Sequence, residues 1–214
     1  MSEATAGEPV LRPEFFDRYD TSPDPEFYRE PRLVTHIDDA AIASLTRFYG
    51  ELIADGSRVL DLMSSWISHL PSGRHFAGVA GLGLNEVELE NNPVLTERVV
   101  QDLNANPVLP WADGIFDAAV VTVSVQYLTS PAEVFREVGR VLRPGAPFAV
   151  AYSNRCFPTK AVRIWQSLGD RDHAELIALY FRLSGAFQPA QAYDISPGPG
   201  SDPMYVVVAR TPTS

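Results

Sequence analysis

The residues best suited to chemistry in this chain gather in the run RVLDLMSSWISHLP at 58–71. Asp61 ends a short apolar stretch, and Ser64, Ser65, Ser68 and His69 follow it closely, so a carboxylate, three hydroxyls and an imidazole share one loop. Such a set can hold a polar ligand by side-chain hydrogen bonds, and His69 can also move a proton near neutral pH. His36 stands two and three residues before Asp38 and Asp39; at that spacing only one acid could easily join it on a metal, so helix capping is the expected use of the acids and no metal is expected. In SVQYL at 124–128, Gln126 offers an amide to a cleft, while Tyr127 can serve as a polar wall, a weak general base, a stacking surface or an aromatic seal. In SNRCFP at 153–158, Arg155 can grip a carboxylate or phosphate through two donors, with Asn154 and Lys160 nearby, or else lie solvated. Cys156, the single cysteine, has no companion for a disulfide or a metal site and reads as a small buried hydrophobe.

These residues need a scaffold that brings distant loops together. Continuous apolar runs at 59–62, 76–84, 118–123, 148–152 and 204–209, with a weaker one at 190–195, alternate with helical stretches; this predicts an α/β fold with a parallel sheet covered on both faces. Apolar residues at 37, 41, 42, 45, 48, 49 and 52 recur every three or four positions, so a helix is expected over 37–53, started by Asp38 or Asp39 and closed by Gly56. Further helices are expected over 87–92, 93–98, 131–142 and 159–181. In the third of these Val134, Phe135, Val138 and Leu142 face inward and Glu133, Arg136, Glu137 and Arg140 outward. In an open sheet of this kind a ligand binds beyond the carboxyl ends of the strands. That places the chemistry in the loops at 63–71, 83–91, 102–107, 124–129 and 153–160.

A chain of 214 residues with 45% hydrophobic content can bury one sizeable core. A tail is expected at 1–13, an aromatic lid and helix at 14–55, and the ligand-binding core at 56–214. The lid carries Phe15, Phe16, Tyr19, Phe27 and Tyr28, with Tyr19, Tyr28, Arg32 and His36 as polar tips over a substrate. A net charge of −10 opposes attraction to a phosphate backbone, so a small-molecule partner is expected rather than nucleic acid. The sequence has no apolar run of membrane-spanning length, and MSEATAGE at its start lacks the basic and apolar regions of a signal peptide; a cytoplasmic protein without membrane partners is expected. Oligomeric state is not legible.

Taken in order, VLDL at 59–62, IFDAAVV at 115–121, SVQYL at 124–128 and FREVGRVLRPG at 135–145 resemble the successive motifs of the class I, type 11-like S-adenosylmethionine (SAM)-dependent methyltransferases. The likeness runs from about residue 52 to 210 and is nearest to a branch with a glycine-free Asp-Leu-Met-Ser-Ser-Trp loop. It implies a Rossmann-like class I methyltransferase fold, SAM as cofactor, and methyl transfer to a small-molecule nucleophile. By the same likeness Asp61 orients the methionine end of SAM; Met63, Ser65 and Ile67 stand where the family has glycines, and Met63, Ser64, Ser65 and Trp66 are the loop residues expected to help hold the cofactor. Gly83 stands where the family has an acid for the ribose hydroxyls, with Leu84 beside it and Asn85, or Glu86, able to reach instead. Asp102 accepts from the adenine amine, with Leu103 and Asn104 adjacent, and Ser124 comes where methyl and acceptor meet. Tyr127, His69 and His36 are the catalytic candidates; Tyr19, Tyr28, Arg32, Gln126, Asn154 and Arg155 are the substrate-binding ones. Two alternatives stay open: an enzyme that cyclises or cleaves SAM, and a noncatalytic binding protein on the same fold.

Overall fold

A computed structural model describes residues 11–213. Most of the expected tail, residues 1–10, lies outside the described residues. Seven strands form one sheet in the order β3-β2-β1-β4-β5-β7-β6. They are β1 (Arg58–Leu62), β2 (Gly78–Gly83), β3 (Glu97–Val100), β4 (Ala118–Thr122), β5 (Pro147–Tyr152), β6 (Gln191–Asp194) and β7 (Tyr205–Arg210). The first five run parallel, whereas β7 pairs antiparallel with both β5 and β6, so the sheet is mostly rather than wholly parallel. Six helices accompany it: α1 (Asp24–Phe27), α2 (Asp39–Leu52), α3 (Glu86–Glu90), α4 (Pro131–Val141), α5 (Arg163–Gln166) and α6 (Asp170–Ser184).

Strand alternation divides the core into two layers. Val59, Val79, Val120 and Ala149 pack with Ala41, Leu45 and Tyr49 of α2, while Leu60, Leu82, Val121 and Phe148 pack with Phe135 of α4 and Phe181 of α6. Each central strand is therefore apolar on both faces, which is why it reads as an unbroken apolar run. Asp38 caps α2 by accepting from the Ala41 amide at 2.9 Å. Arg140 closes the outer face of α4, bonding Glu137, Asp113 and the carbonyls of Leu109 and Trp111.

Three expectations are corrected. Residues 93–98 are not a helix: Glu97–Val100 forms β3, an edge strand whose burial alternates, because its backbone bonds to β2 outweigh a short local pattern. The helix expected over 159–181 is two helices; Gly169, extended at φ −98° and ψ 173°, separates α5 from the start of α6. Gly56 does not close α2, which ends at Ile53; it takes a left-handed turn (φ 78°) before β1 and donates to the His75 carbonyl.

Candidate functional site

The chain proceeds from β1 outward through β2 to β3, then returns to place β4 on the other side of β1. At that reversal the loops after neighbouring strands diverge and leave a crevice at their carboxyl ends. A cavity of about 320 Å³ occupies it. Its floor is Met63, Ser64 and Ser65 after β1, Gly83 to Asn85 at the end of β2, Gln101 to Asn104 after β3 and Thr122 to Ser124 at the end of β4; Tyr28, Arg32 and His36 roof it, and Tyr127, Leu128, Arg155, Cys156 and Phe157 complete the wall.

The glycine-free loop is built around Asp61. Only 3% exposed, this residue shares the α2 side of β1 with Val59 and does not line the cavity. One of its oxygens accepts from Ser64 Oγ and Ser68 Oγ, each at 2.6 Å. Burial pushes its carboxyl up to about 6, against the pull of the two hydroxyls. Met63 takes φ 56°, the left-handed region that a glycine would occupy without strain, and so turns the chain out of β1. The Ser64 amide then donates to the Leu82 carbonyl at 2.7 Å, which lays the loop across the end of β2.

That placement explains Gly83. A Cβ there would lie 2.2 Å from the Ser64 carbonyl oxygen, so no side chain, acidic or otherwise, fits at the end of β2. The course of the loop over the end of β2 and the lack of a side chain at position 83 are thus linked. Asn85 does not leave its side chain free for a ligand. Its oxygen caps α3 at the Glu88 amide, and its Nδ2 donates to the carbonyls of Tyr28 and Arg29 at 2.8 and 3.0 Å. Asn104 is likewise engaged, donating to Asp24 and the Tyr127 carbonyl and accepting from Thr129. Asp102 lines the cavity; one of its oxygens accepts from the Asn104 amide at 2.9 Å, and the other accepts no protein hydrogen bond among the described residues.

The remaining candidates divide. His36 lines the mouth, edge-on to Phe157 with centroids 5.5 Å apart; partial burial holds its imidazole below the ordinary histidine value, Glu88 opposing and Arg32 reinforcing. Burial takes His69 down to about 4, with His36 adding to the shift; it is buried at φ 55° and does not line the cavity. Tyr127 lines it, but burial raises its phenol to about 12 and its oxygen accepts from the Phe157 amide at 2.8 Å. It is therefore a neutral wall rather than a base. Ser124 presents a buried hydroxyl without a partner among the described residues. Trp66 is not in the cavity wall; it donates to the Val34 carbonyl. Gln126 is buried with its amide on the Val123 carbonyl, Tyr19 is 89% exposed, and neither they nor Asn154 line the cavity. Arg155 lines it but is paired with Asp202 at 2.8 Å.

Three participants were not anticipated. Glu88, buried on α3, accepts from the Arg32 amide at 2.7 Å and from Ser65 Oγ at 2.6 Å, so one carboxylate fastens both lid and loop. Asp24 receives Arg18 at 2.7 Å, Lys160 at 3.2 Å and Asn104 at 2.8 Å. Phe157 packs between the lid rings and Tyr127. The aromatic density of the lid announced Phe157's partners, but the partners of Glu88 and Asp24 lie up to 136 residues away in sequence, Lys160 being the farthest.

Residues 69–150 match a family model described as a methyltransferase domain. The chain is 32% identical over 106 residues to "Methyltransferase phqN" of Penicillium fellutanum, covering 46% of this chain and 32% of that protein. It is 28% identical over 136 residues to "Methyltransferase GfsG" of Streptomyces halstedii, covering 58% of this chain and 48% of that protein. The matches thus span between a third and a half of these relatives' lengths. Among solved structures, the [4+2]-cyclase SpnF superposes with a TM-score of 0.59 at 15% identity over 89% of this chain and 92% of that one. A chain from the complex between the Haloferax volcanii Trm112 methyltransferase activator and the putative methyltransferase gives 0.61 at 15% identity over 88% and 93%. The architecture is the Rossmann-like class I methyltransferase fold. No helix among the described residues is long and apolar enough to cross a membrane.

Proposed function

We propose that the chain is a SAM-dependent methyltransferase acting on a small molecule. The observation that carries this reading is the cavity at the strand-order reversal, floored by the loops after β1, β2, β3 and β4, with Asp102 offering an unengaged carboxylate oxygen. Its volume of about 320 Å³ suits a small-molecule ligand, sites for which run from roughly 300 to 1,000 Å³. The residues fit SAM: Asp102 would accept from the adenine amine between Leu84, Leu103 and Leu128, and Met63, Ser64 and Ser65 would face the methionine portion. Bound there, SAM supplies a methyl group activated on a sulfonium.

What remains for the chain is alignment, exclusion of water and, for a protonated nucleophile, removal of a proton. Tyr28, Tyr127 and Phe157 wall the space against solvent. Burial favours the neutral form of His36, which can accept the proton of an attacking hydroxyl or amine; Tyr127, held as a neutral phenol by burial, can donate a hydrogen bond and orient it.

Mass spectrometry of the protein with methyl-deuterated SAM and a panel of small phenols, amines and carboxylic acids tests the proposal. S-adenosylhomocysteine (SAH) together with a deuteromethylated product is the expected outcome. Methylthioadenosine formed without an acceptor would replace methylation by SAM cleavage, and absence of SAM binding by calorimetry would leave the noncatalytic alternative.

A further inference from the structure

Arg32 is the one cavity-lining cation whose charge has no carboxylate partner among the described residues. Arg155 is paired with Asp202. Glu88 does touch residue 32, but at its backbone amide, and its second oxygen is taken by Ser65. The guanidinium instead lies among three rings, its carbon 4.8 Å from the centroid of Phe27, 5.4 Å from Tyr28 and 5.2 Å from Phe157. Nη2 donates to the Phe27 carbonyl at 3.0 Å, while Nη1 is buried without any hydrogen-bond partner. Cation–π contact offsets part of the cost of drawing a charge away from water but supplies no counter-charge. A second unpaired donor, the buried Ser124 hydroxyl, belongs to the same cavity.

We infer that Arg32 is the receptor for a carboxylate or similar anionic group on the methyl acceptor. The inference rests on the SAM reading given above. Position argues for the acceptor rather than for SAM's own carboxylate. The Arg32 backbone is held beside the β1 loop through Glu88, but its guanidinium reaches away to Phe157, which follows β5 and packs on Tyr127 after β4, so the charge sits toward the β4–β5 side of the cavity. The box of rings is already filled by a cation, so a cationic acceptor is repelled. A planar anion can stack on Tyr28 or Phe157 and approach the side of Arg32 that faces the cavity, supplying the missing counter-charge.

Benzoate and benzamide, nearly equal in shape but not in charge, test this by calorimetry on the SAH-loaded protein. Benzoate should bind at least about tenfold more tightly than benzamide, as a charge-assisted bond of 1.5–3 kcal/mol requires. Arg32→Gln should abolish that preference without changing SAH affinity, and Arg32→Lys, which keeps the charge and much of the packing, should retain part of it. Equal binding of the two probes, or no binding of benzoate, overturns the inference. So does an Arg32→Gln variant that loses SAH while still binding methylthioadenosine, because the arginine would then serve the carboxylate of SAM. Should wild-type protein bind no SAH, the SAM reading falls, and the benzoate–benzamide contrast in ligand-free protein still decides the anion site. If Arg32→Gln fails to fold, as read by thermal melting, the wild-type contrast and Arg32→Lys carry the decision.

Discussion

Asp61 shows how a residue at the expected place can hold the site together without facing the ligand. Its carboxyl is raised from 3.8 to about 6, chiefly by burial, and two serine hydroxyls share one oxygen. A carboxyl whose folded value is raised favours folding fully below the unfolded value. That advantage is lost as pH rises through the folded value, so the loss falls between about pH 4 and 6 and amounts to about 3 kcal/mol. Asp61→Asn keeps an oxygen for both serines and has no such titration. Urea unfolding at pH 4, 5, 6 and 7 should therefore find the variant gaining on wild type as pH rises across that window; a constant difference would mean that Asp61 titrates normally. His69, depressed to about 4, contributes in the opposite direction in both proteins: its neutral form stabilises above about 6.5, and that is lost as pH falls toward 4. It cancels in the comparison. Asp102 and the loop serines were legible as polar residues where a connecting loop has no packing need for them. The role of Glu88 was not, because it depends on Arg32 and Ser65, 56 and 23 residues away.

Among the elements, the first loop and β2 are coupled by one contact, Ser64 with the end of the strand. Gly83→Ala places a Cβ 2.2 Å from the Ser64 carbonyl oxygen, and neither backbone can yield without breaking the Ser64–Leu82 bond. The expected cost is at least about 1–3 kcal/mol, the usual range for overpacking. Gly73→Ala, with nothing within 4 Å of its added Cβ, should stay within about 0.5 kcal/mol of wild type. Denaturant melts of the two variants check this, and equal stabilities would dismiss the coupling. Gly83→Asp, which puts an acid at the end of β2, should destabilise as Ala does and gain no SAM affinity. The central strands were readable because both faces of each are buried and leave an unbroken apolar run. β3 was not, since Glu97–Val100 alternates half-buried with exposed residues and follows a stretch of mixed local preference. Between α5 and α6 the chain leaves the helix after Gln166 and re-enters it at Asp170, a break that the apolar pattern over 159–181 did not announce.

At the scale of the molecule, the site is a crevice at the carboxyl ends of the strands, closed by the segment that precedes α2. Residues 17–38 are fastened across it at both edges. On the β4–β5 side the Asp20 amide donates to Thr159, the Arg163 amide to Asp17, and fully buried Lys160 contacts Asp20 and Asp24. On the β2 side Asn85 holds the carbonyls of Tyr28 and Arg29, and Glu88 holds the Arg32 amide. Because the roof carries Tyr28, Arg32 and His36, ligand binding and roof closure should stabilise one another. SAH at a hundred times its dissociation constant adds about 2.7 kcal/mol, which for a chain of this length raises the melting temperature by about 5–10 °C. Asp102→Ala, which removes the proposed adenine acceptor away from the roof, should reduce that shift by weakening SAH alone. Lys160→Met strips buried Asp24 of one of its two cationic partners and should itself cost about 3–5 kcal/mol. Its further signature is regional: amide exchange should rise in residues 17–38, and SAH should restore protection there. Exchange rising uniformly along the chain, with no recovery when SAH binds, would mean that the buried lysine supports the fold as a whole and not the closure of the site.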